Sequence, residues 1–418
     1  MLPGSMQRLV DHVAARLPQY PRLPASFAAT LANTYETTLR PQPDGSTFVI
    51  TGDIPAMWLR DSAAQVRPYL RLAAGDPDIA ALIGGVVARQ AAQVLTDPYA
   101  NAFNEAPNGR CHNRDATDMG PWIWERKYEL DSLCGPLLLA HDLWRATGQT
   151  GHLGGEFSAA AALIVATIRA EQDHAASPYR FERLQGPPSD TLTHQGRGSP
   201  VGHTGMSWSG FRPSDDACQY HYLIPANMMA VVALERLAAL PLGDAGLAGQ
   251  ALALAGEIRA GITAHGLVDH PRFGRIYAFE VDGLGHHNLM DDANVPSLLA
   301  APYLGFCAAD DPLYLATRAF VLSDANPYFY TGKAATGIGS PHTPTDHIWP
   351  IALAMQGLTA RDHGEKLALL ERLMATDAGT GLMHESFHKD DPARFTRPWF
   401  AWANALFAEF VLDLCGQE

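Results

Sequence analysis

The chain has 418 residues, with 30 Lys and Arg set against 44 Asp and Glu for a net charge of −14. Hydrophobic residues make up 47% and charged residues 18%, which is enough to bury a large core and too apolar for a disordered chain. The acidic balance argues against a nucleic-acid partner, since phosphate binding needs clustered Lys and Arg, and fits a neutral, polar, small substrate better.

From the N-terminus, residues 1–20 are broken by Asp11, His12 and Arg16 and read as an amphipathic helix rather than a secretory signal. Leu9, Val13 and Leu17, then Phe27, Leu31 and Tyr35, recur at helical spacing. The same periodicity predicts helices over 60–73, 79–96, 128–147, 157–174, 222–240, 245–264, 293–303, 310–323, 347–358, 363–376 and 398–415. Strand signals are confined to Thr47–Thr51 and Gly274–Val281, and no βαβ alternation appears. No run of about 18 apolar residues is free of charge, so no membrane span is expected. The five cysteines, Cys111, Cys134, Cys218, Cys307 and Cys415, form no CxxC pair, which argues against a zinc ribbon or redox pair, and their odd number argues against a disulfide framework; with no leader or membrane span read, a cytoplasmic location is the simplest expectation.

Long links at 97–121, 178–221 and 324–346 are rich in Gly, Pro, Asn, His and aromatic residues, and long ordered loops are usually functional. The expected architecture is therefore all-α: one domain over 1–418, about twelve paired helices with the loops gathered at one end as the active site, a number that fits an (α/α)6 toroid although periodicity does not distinguish a closed ring from an open solenoid.

Chemistry-bearing residues cluster before the helices. Thr51–Ser62 delivers Trp58, Arg60 and Asp61 to a helix start, either as a clamp for a hydroxyl-rich ligand with Trp58 as a stacking face, or as a loop in which Asp61 or Ser62 caps the helix. Trp208–Ala217 carries Arg212 and the adjacent Asp215 and Asp216; Arg212 would hold one carboxyl ionised while its neighbour keeps a proton. Met290–Ser297 brings Asp291, Asp292 and Asn294, with capping as the alternative. Thr331–Pro350 contributes Gly332-Lys333, which lacks the glycine spacing of a phosphate loop, together with His342, His347 and Trp349. Trp122–Ser132 reads as a charged, solvated or paired helix end. The stretch His384-Glu385-Ser386-Phe387-His388 matches HExxH formally, but glycines before it and Asp390-Asp391-Pro392 after it leave no room for the helix a zinc protease needs, so no metal site is read there. Aromatic rings mixed with paired carboxylates and amides are what a sugar pocket requires, and glycoside hydrolysis adds two carboxyls flanking the scissile bond.

The segments TGDIPAMWLRDSAAQVRPYL, WERKYELDSL, WSGFRPSDDA, LMDDANVPSLL, GIGSPHTP and HESFHKDDPARFTRPWFAWANALF together resemble glycoside hydrolase family 125, from about residue 20 to the C-terminus. The resemblance implies an (α/α)6 fold and an inverting exo-α-1,6-mannosidase that releases terminal mannose from α-mannosides or glycans, with no metal or cofactor. It places the general acid in Arg-Pro-Ser-Asp-Asp, where Asp215 is favoured over Asp216, and the general base at Glu385. Arg60, Asp61, Asp216, Arg212, Asn294 and His342 would then bind the sugar, with Trp58, Trp208, Trp349 and Trp399 as walls. Two other functions remain compatible with the residues. One is an (α/α)6 sugar epimerase or isomerase using some of the 17 histidines. The other is a catalytically silent mannoside-binding protein. The oligomeric state is not fixed by the sequence.

Overall fold

The computed structural model describes residues 2–416. It is mostly helical, with a few short strands. The expected helices are present, with ends that coincide or shift by up to four residues; 60–73 is divided into Leu59–Val66 and Leu70–Ala73 by a tighter turn at Arg67–Tyr69, and one helix is missing. In place of 293–303 there is only Ala301–Leu304. Pro296 lacks an N–H and disfavours helical backbone at Val295. The Asp291 carboxylate takes the N–H groups of Leu298 and Leu299 (2.8 and 3.0 Å), fixing the stretch as a turn.

Two kinds of helix are distinguished by burial. Ile224–Ala239 buries twelve of its 16 residues and Ala401–Leu414 eleven of 14, so they are enclosed on all sides. Ala245–His265 buries only seven of 21, at positions 247, 251, 254, 255, 258, 261 and 262, a single stripe at helical spacing. The enclosed helices touch in series: Ile224–Ala239, flanked by the short, half-buried Ala301–Leu304, meets Leu130–Thr147, then Leu59–Val66, Ala401–Leu414 and Pro350–Leu358. Striped helices lie outside them, such as Ala245–His265 on Ile224–Ala239 and His363–Ala375 on Pro350–Leu358. Pro77–Thr96 is the one described helix long and apolar enough to cross a membrane by length and composition, and here it packs on Leu130–Thr147 and Gly155–Ala170. One hydrophobic cluster runs from Met6 to Cys415.

The two kinds also start differently. Asp76, Asp244, Asp311 and Asp362 cap the outer helices Pro77–Thr96, Ala245–His265, Pro312–Val321 and His363–Ala375. The enclosed helices begin at Trp58, Glu129, Leu223, Trp349 and Phe400, none of which caps with its side chain. Three of these starts follow a short strand: Met57–Trp58, Tyr222–Leu223 and His347–Ile348 each sit in a three-stranded sheet. Strands of two or three residues are too short to leave a period-two pattern, so the sequence did not announce them. The sheets hold the loops rigidly at the enclosed helices' N-terminal ends, where the helix dipoles favour negative charge.

Gly135 sets the closeness of one critical helix pair. A Cβ there would lie 3.1 Å from the Leu59 carbonyl oxygen and 3.3 Å from the Arg60 Cα. A Gly135→Val protein should lose about 1–3 kcal/mol of stability through overpacking. It should also lose activity, because Arg60 is pushed from its partners. A thermal melt and turnover assay checks both, and a variant with wild-type values for each would refute the account.

Candidate active site

A pocket with about 390 Å³ of open space lies at the N-terminal ends of the enclosed helices. It is lined by the Trp58 and Trp349 helix starts, by Phe400 and Trp402, and by Arg60, Asp61, Asp215, Asn294, His342, Glu385 and Arg397. Asp215 and Glu385, the two candidate catalytic carboxyls from distant loops, therefore share one cavity.

Arg60 forms its floor. Its Nη1 donates to Glu129 Oε2 at 2.6 Å and to Asp131 Oδ2 at 2.8 Å, and its Nη2 donates to Asp61 Oδ2 at 3.1 Å. The guanidinium also stacks over the Trp402 ring, 5.3 Å from its centroid. Burial would lower the Arg60 pKa, but Glu129, Asp61 and Asp131 outweigh it and hold the cation firmly charged. Burial raises the Asp61 and Asp131 carboxyls, against the pull of Arg60. Removing one partner of such a buried network leaves a charge uncompensated and costs about 3–5 kcal/mol. The expected capping role for Asp61 or Ser62 is not seen: Trp58 occupies the N-cap position, Asp61 pairs with Arg60, and Ser62 Oγ donates to the Leu59 carbonyl.

The charged run in Trp122–Ser132, expected to be a solvated or paired helix end, is paired but buried rather than solvated. Glu125, Lys127, Glu129 and Asp131 are all buried. They alternate with other residues, which is the period of extended chain; of the four, Glu125 lies in the strand Ile123–Glu125 and Asp131 in the first turn of Leu130–Thr147. That alternation was the signal available in the sequence. Asn101, not singled out, bridges three carboxyls: its Nδ2 lies 3.1 Å from Glu125 Oε2, 3.2 Å from Glu129 Oε1 and 3.1 Å from Asp215 Oδ1.

Asp215 and Asp216 diverge because of a tight turn. The Asp215 N–H donates to the Arg212 carbonyl, the Arg212 N–H donates to the Asp216 carbonyl, and Asp215 has φ 68°. This left-handed conformation costs a non-glycine residue about 1–3 kcal/mol, and it is held by Lys127 Nζ donating to the Asp215 carbonyl at 2.6 Å. Asp215 lines the pocket, whereas Asp216 is buried and meets His342 Nδ1 at 3.2 Å. Burial would raise the Asp215 carboxyl, but Lys127, a hydrogen bond with Glu129 and Arg60 hold it down to about 2.

Three expectations need correction. Arg212 does not hold either aspartate; its Nε pairs with Glu280 at 2.6 Å, away from the pocket lining, and Lys127 takes the expected role. Trp208 is not a sugar wall. It is fully buried and stacks on His174 with centroids 3.5 Å apart and on His221 at 4.7 Å. Trp399 packs against Gly52, where any Cβ would strike its carbonyl, and Trp402, three residues on, lines the pocket in its place. The sequence could not rank these rings, because orientation at a helix start depends on the strand pairing before it.

Arg397 precedes the Pro398–Asn404 stretch that starts the last enclosed helix. It chelates Asp53 through Nε at 3.1 Å and approaches Glu385 Oε1 with Nη1 at 3.4 Å. The HESFH stretch ends in a strand, Ser386–His388, and His384 stacks on Phe395 at 3.8 Å, so its two histidines lie outside any metal-binding helix. Trp58 and Ser214 line the pocket, and Trp58 Nε1 and Ser214 Oγ are buried without a hydrogen-bond partner in the protein.

His342 carries the clearest pH signature. Burial would lower its pKa, but the hydrogen bond and charge of Asp216, with Asp215 and Glu385, raise it to about 9. The folded value lies above the unfolded one, so this pairing stabilises the protein fully below the ordinary value of 6.5 and is lost as pH rises through about 9. The wild-type melting temperature should therefore fall more steeply across that interval than that of His342→Asn; parallel profiles would contradict the pairing.

Comparison with known proteins follows the same lines. The model of the family described as metal-independent alpha-mannosidase (GH125) matches residues 20–412. The chain is 42% identical to the meiotically up-regulated gene 157 protein of Schizosaccharomyces pombe, across 98% of this chain and 83% of that one. It superposes with TM-score 0.97 at 52% identity, over 100% of this chain and 99% of the other, on a Streptococcus pneumoniae protein solved in a non-productive complex with alpha-1,6-mannobiose. A more distant glycosidase at 15% identity, covering 100% of this chain and 99% of its own, shares the fold with TM-score 0.55. The chain thus belongs to glycoside hydrolase family 125, the metal-independent α-mannosidases.

Proposed function

We propose that this α-mannosidase is an inverting, exo-acting enzyme that hydrolyses α-1,6-mannosidic bonds, with Asp215 as general acid and Glu385 as general base. The observation that carries the reading is that these two carboxyls line one small pocket walled by Trp58, Trp349, Phe400 and Trp402. The 52% identical Streptococcus pneumoniae structure with its alpha-1,6-mannobiose supports the linkage. The helix contacts in series, with striped helices behind Ile224–Ala239 and Pro350–Leu358, support an (α/α)6 ring as the scaffold. All five thiols are free, which supports a cytoplasmic location.

In this reading Asp215 protonates the glycosidic oxygen as its bond to the anomeric carbon breaks. Glu385 takes a proton from the water that forms the new bond on the opposite face. The two carboxyls of an inverting enzyme stand ~6.5–9.5 Å apart, leaving room for that water. Arg397 brings positive charge to Glu385, and Asp61, Asn294, His342, Ser214 and the Trp58 N–H bind the sugar hydroxyls. Asp216 acts through His342 rather than on the sugar. The pocket carries one histidine, His342, among the described residues. This disfavours an isomerase or epimerase that would use a histidine pair as acid and base.

Glu385→Gln should lose ~10²–10⁴-fold in turnover of a mannobioside while remaining folded. Asp215→Asn should lose a similar factor on the mannobioside but far less on an aryl mannoside whose leaving group needs no proton. Asp216→Asn should lose similar factors on both. Leaving-group dependence in Asp216→Asn alone would transfer the acid role, and wild-type turnover by Glu385→Gln would remove the base assignment.

A further inference from the structure

Glu129, which does not line the pocket, shares an amide donor with the acid from behind it. Glu129 Oε2 is committed to Arg60 Nη1 at 2.6 Å and Ser132 Oγ at 2.8 Å. Its Oε1 shares Asn101 Nδ2 with Asp215 Oδ1 and Glu125 Oε2. The Asn101 amide is oriented by the Lys127 N–H, which donates to its Oδ1 at 3.1 Å. That nitrogen carries two hydrogens and faces three carboxyl oxygens, so one oxygen is left without a donor. Glu125 has a second partner in Arg183 Nη2 at 2.7 Å. That bond is to Oε1, so the shortfall lies among Glu125 Oε2, Glu129 Oε1 and Asp215 Oδ1, and a proton shared by Glu129 and Asp215 removes it.

The surrounding charge points the same way. Arg60, Lys127 and Arg183 are the cations of this network. They face Asp61, Asp115, Glu125, Glu129, Asp131, Asp190 and Asp215. His342, which also senses Asp215, is occupied by Asp216, and Arg397 lies between Asp53 and Glu385. Adjacent buried carboxyls in such an excess of negative charge cannot all ionise.

We propose that Glu129 is a positioning residue for the general acid, holding one proton in common with Asp215 so that the pair reaches neutral pH still carrying the proton that the reaction delivers. This rests on Asp215 being the acid. Burial, with the charges of Asp215 and Asp131, pushes the Glu129 carboxyl well above its ordinary range against the pull of Arg60. Before substrate binds, the proton rests on Glu129 and is donated to Asp215. When a glycosidic oxygen comes against Asp215 the proton crosses to it, leaving Glu129 as a carboxylate paired with Arg60. Asp215 then passes the proton to the departing oxygen as the bond to the anomeric carbon breaks. Two ionised carboxyls remain side by side, and their repulsion draws a proton back from water after product release.

The test is Glu129→Gln, whose amide donates to an ionised Asp215 and cannot supply a proton. The alkaline limb of its kcat/KM profile on a mannobioside should move down by about one pH unit or more. Its loss on the mannobioside should exceed its loss on an activated aryl mannoside by about tenfold or more. An unmoved limb with equal losses on both substrates would mean a merely structural role and overturn the proposal. If the variant does not fold, carboxyl-carbon NMR of the wild-type protein decides. One glutamate should remain protonated at pH 7 and titrate lower in Asp215→Asn, and its absence overturns the proposal. Failure of the underlying reading looks different, because Asp215→Asn would then lose equal factors on both substrates.

Discussion

The ion network of Arg60 is the interaction on which the site depends. One guanidinium, buried at the pocket floor, joins the first turns of two enclosed helices by binding Asp61 on its own helix and Glu129 and Asp131 on the next. Three carboxyls near one cation would repel one another without it, and the low-dielectric surroundings magnify both the attraction and the repulsion. The network needs the helices close together, which Gly135 permits. It also fixes Glu129, and through Asn101 the position of Asp215. A lysine at position 60 could not reproduce this, because its point charge lacks the planar fork that reaches several carboxyls at once.

The scaffold prepares the site by the direction of its helices. The enclosed helices start at the pocket and carry no side-chain caps there, so their N-terminal dipoles help hold a carboxylate-rich cavity. The capping aspartates Asp76, Asp244, Asp311 and Asp362 sit on outer helices, away from the pocket. This division frees the inner helix starts for Trp58, Trp349, Phe400 and Glu129, which touch the ligand space or the acid. Short antiparallel strands then anchor loops that would otherwise move, as a catalytic geometry requires.

Much of this was readable from the sequence. The helix periods were strong, and five of the motifs, around Arg60, Asp215, Asn294, His342 and Glu385, each supplied a pocket residue. What escaped depends on tertiary context. Trp208 and Trp402 are equally aromatic and both lie in chemistry-bearing motifs, yet one is sandwiched between His174 and His221 and the other faces the cavity. Arg212 looked like a partner for its neighbouring aspartates, but the turn that flips Asp215 sends Arg212 to Glu280 on another strand. Lys127 and Glu129 looked like a surface charge run because their alternation is short and their partners lie far along the chain. The burial of such charges can be argued only when Arg60, Asn101 and Asp215 are seen together.

The account stands most directly on stereochemistry. Hydrolysis of an α-1,6-mannobioside followed by proton NMR, with enough enzyme that cleavage outruns mutarotation, reports the first anomer released. Direct attack of a water activated by Glu385, opposite a leaving group protonated by Asp215, predicts β-mannose first, with the α anomer growing in later. α-Mannose as the first product would require a covalent intermediate and contradict the roles assigned to both carboxyls.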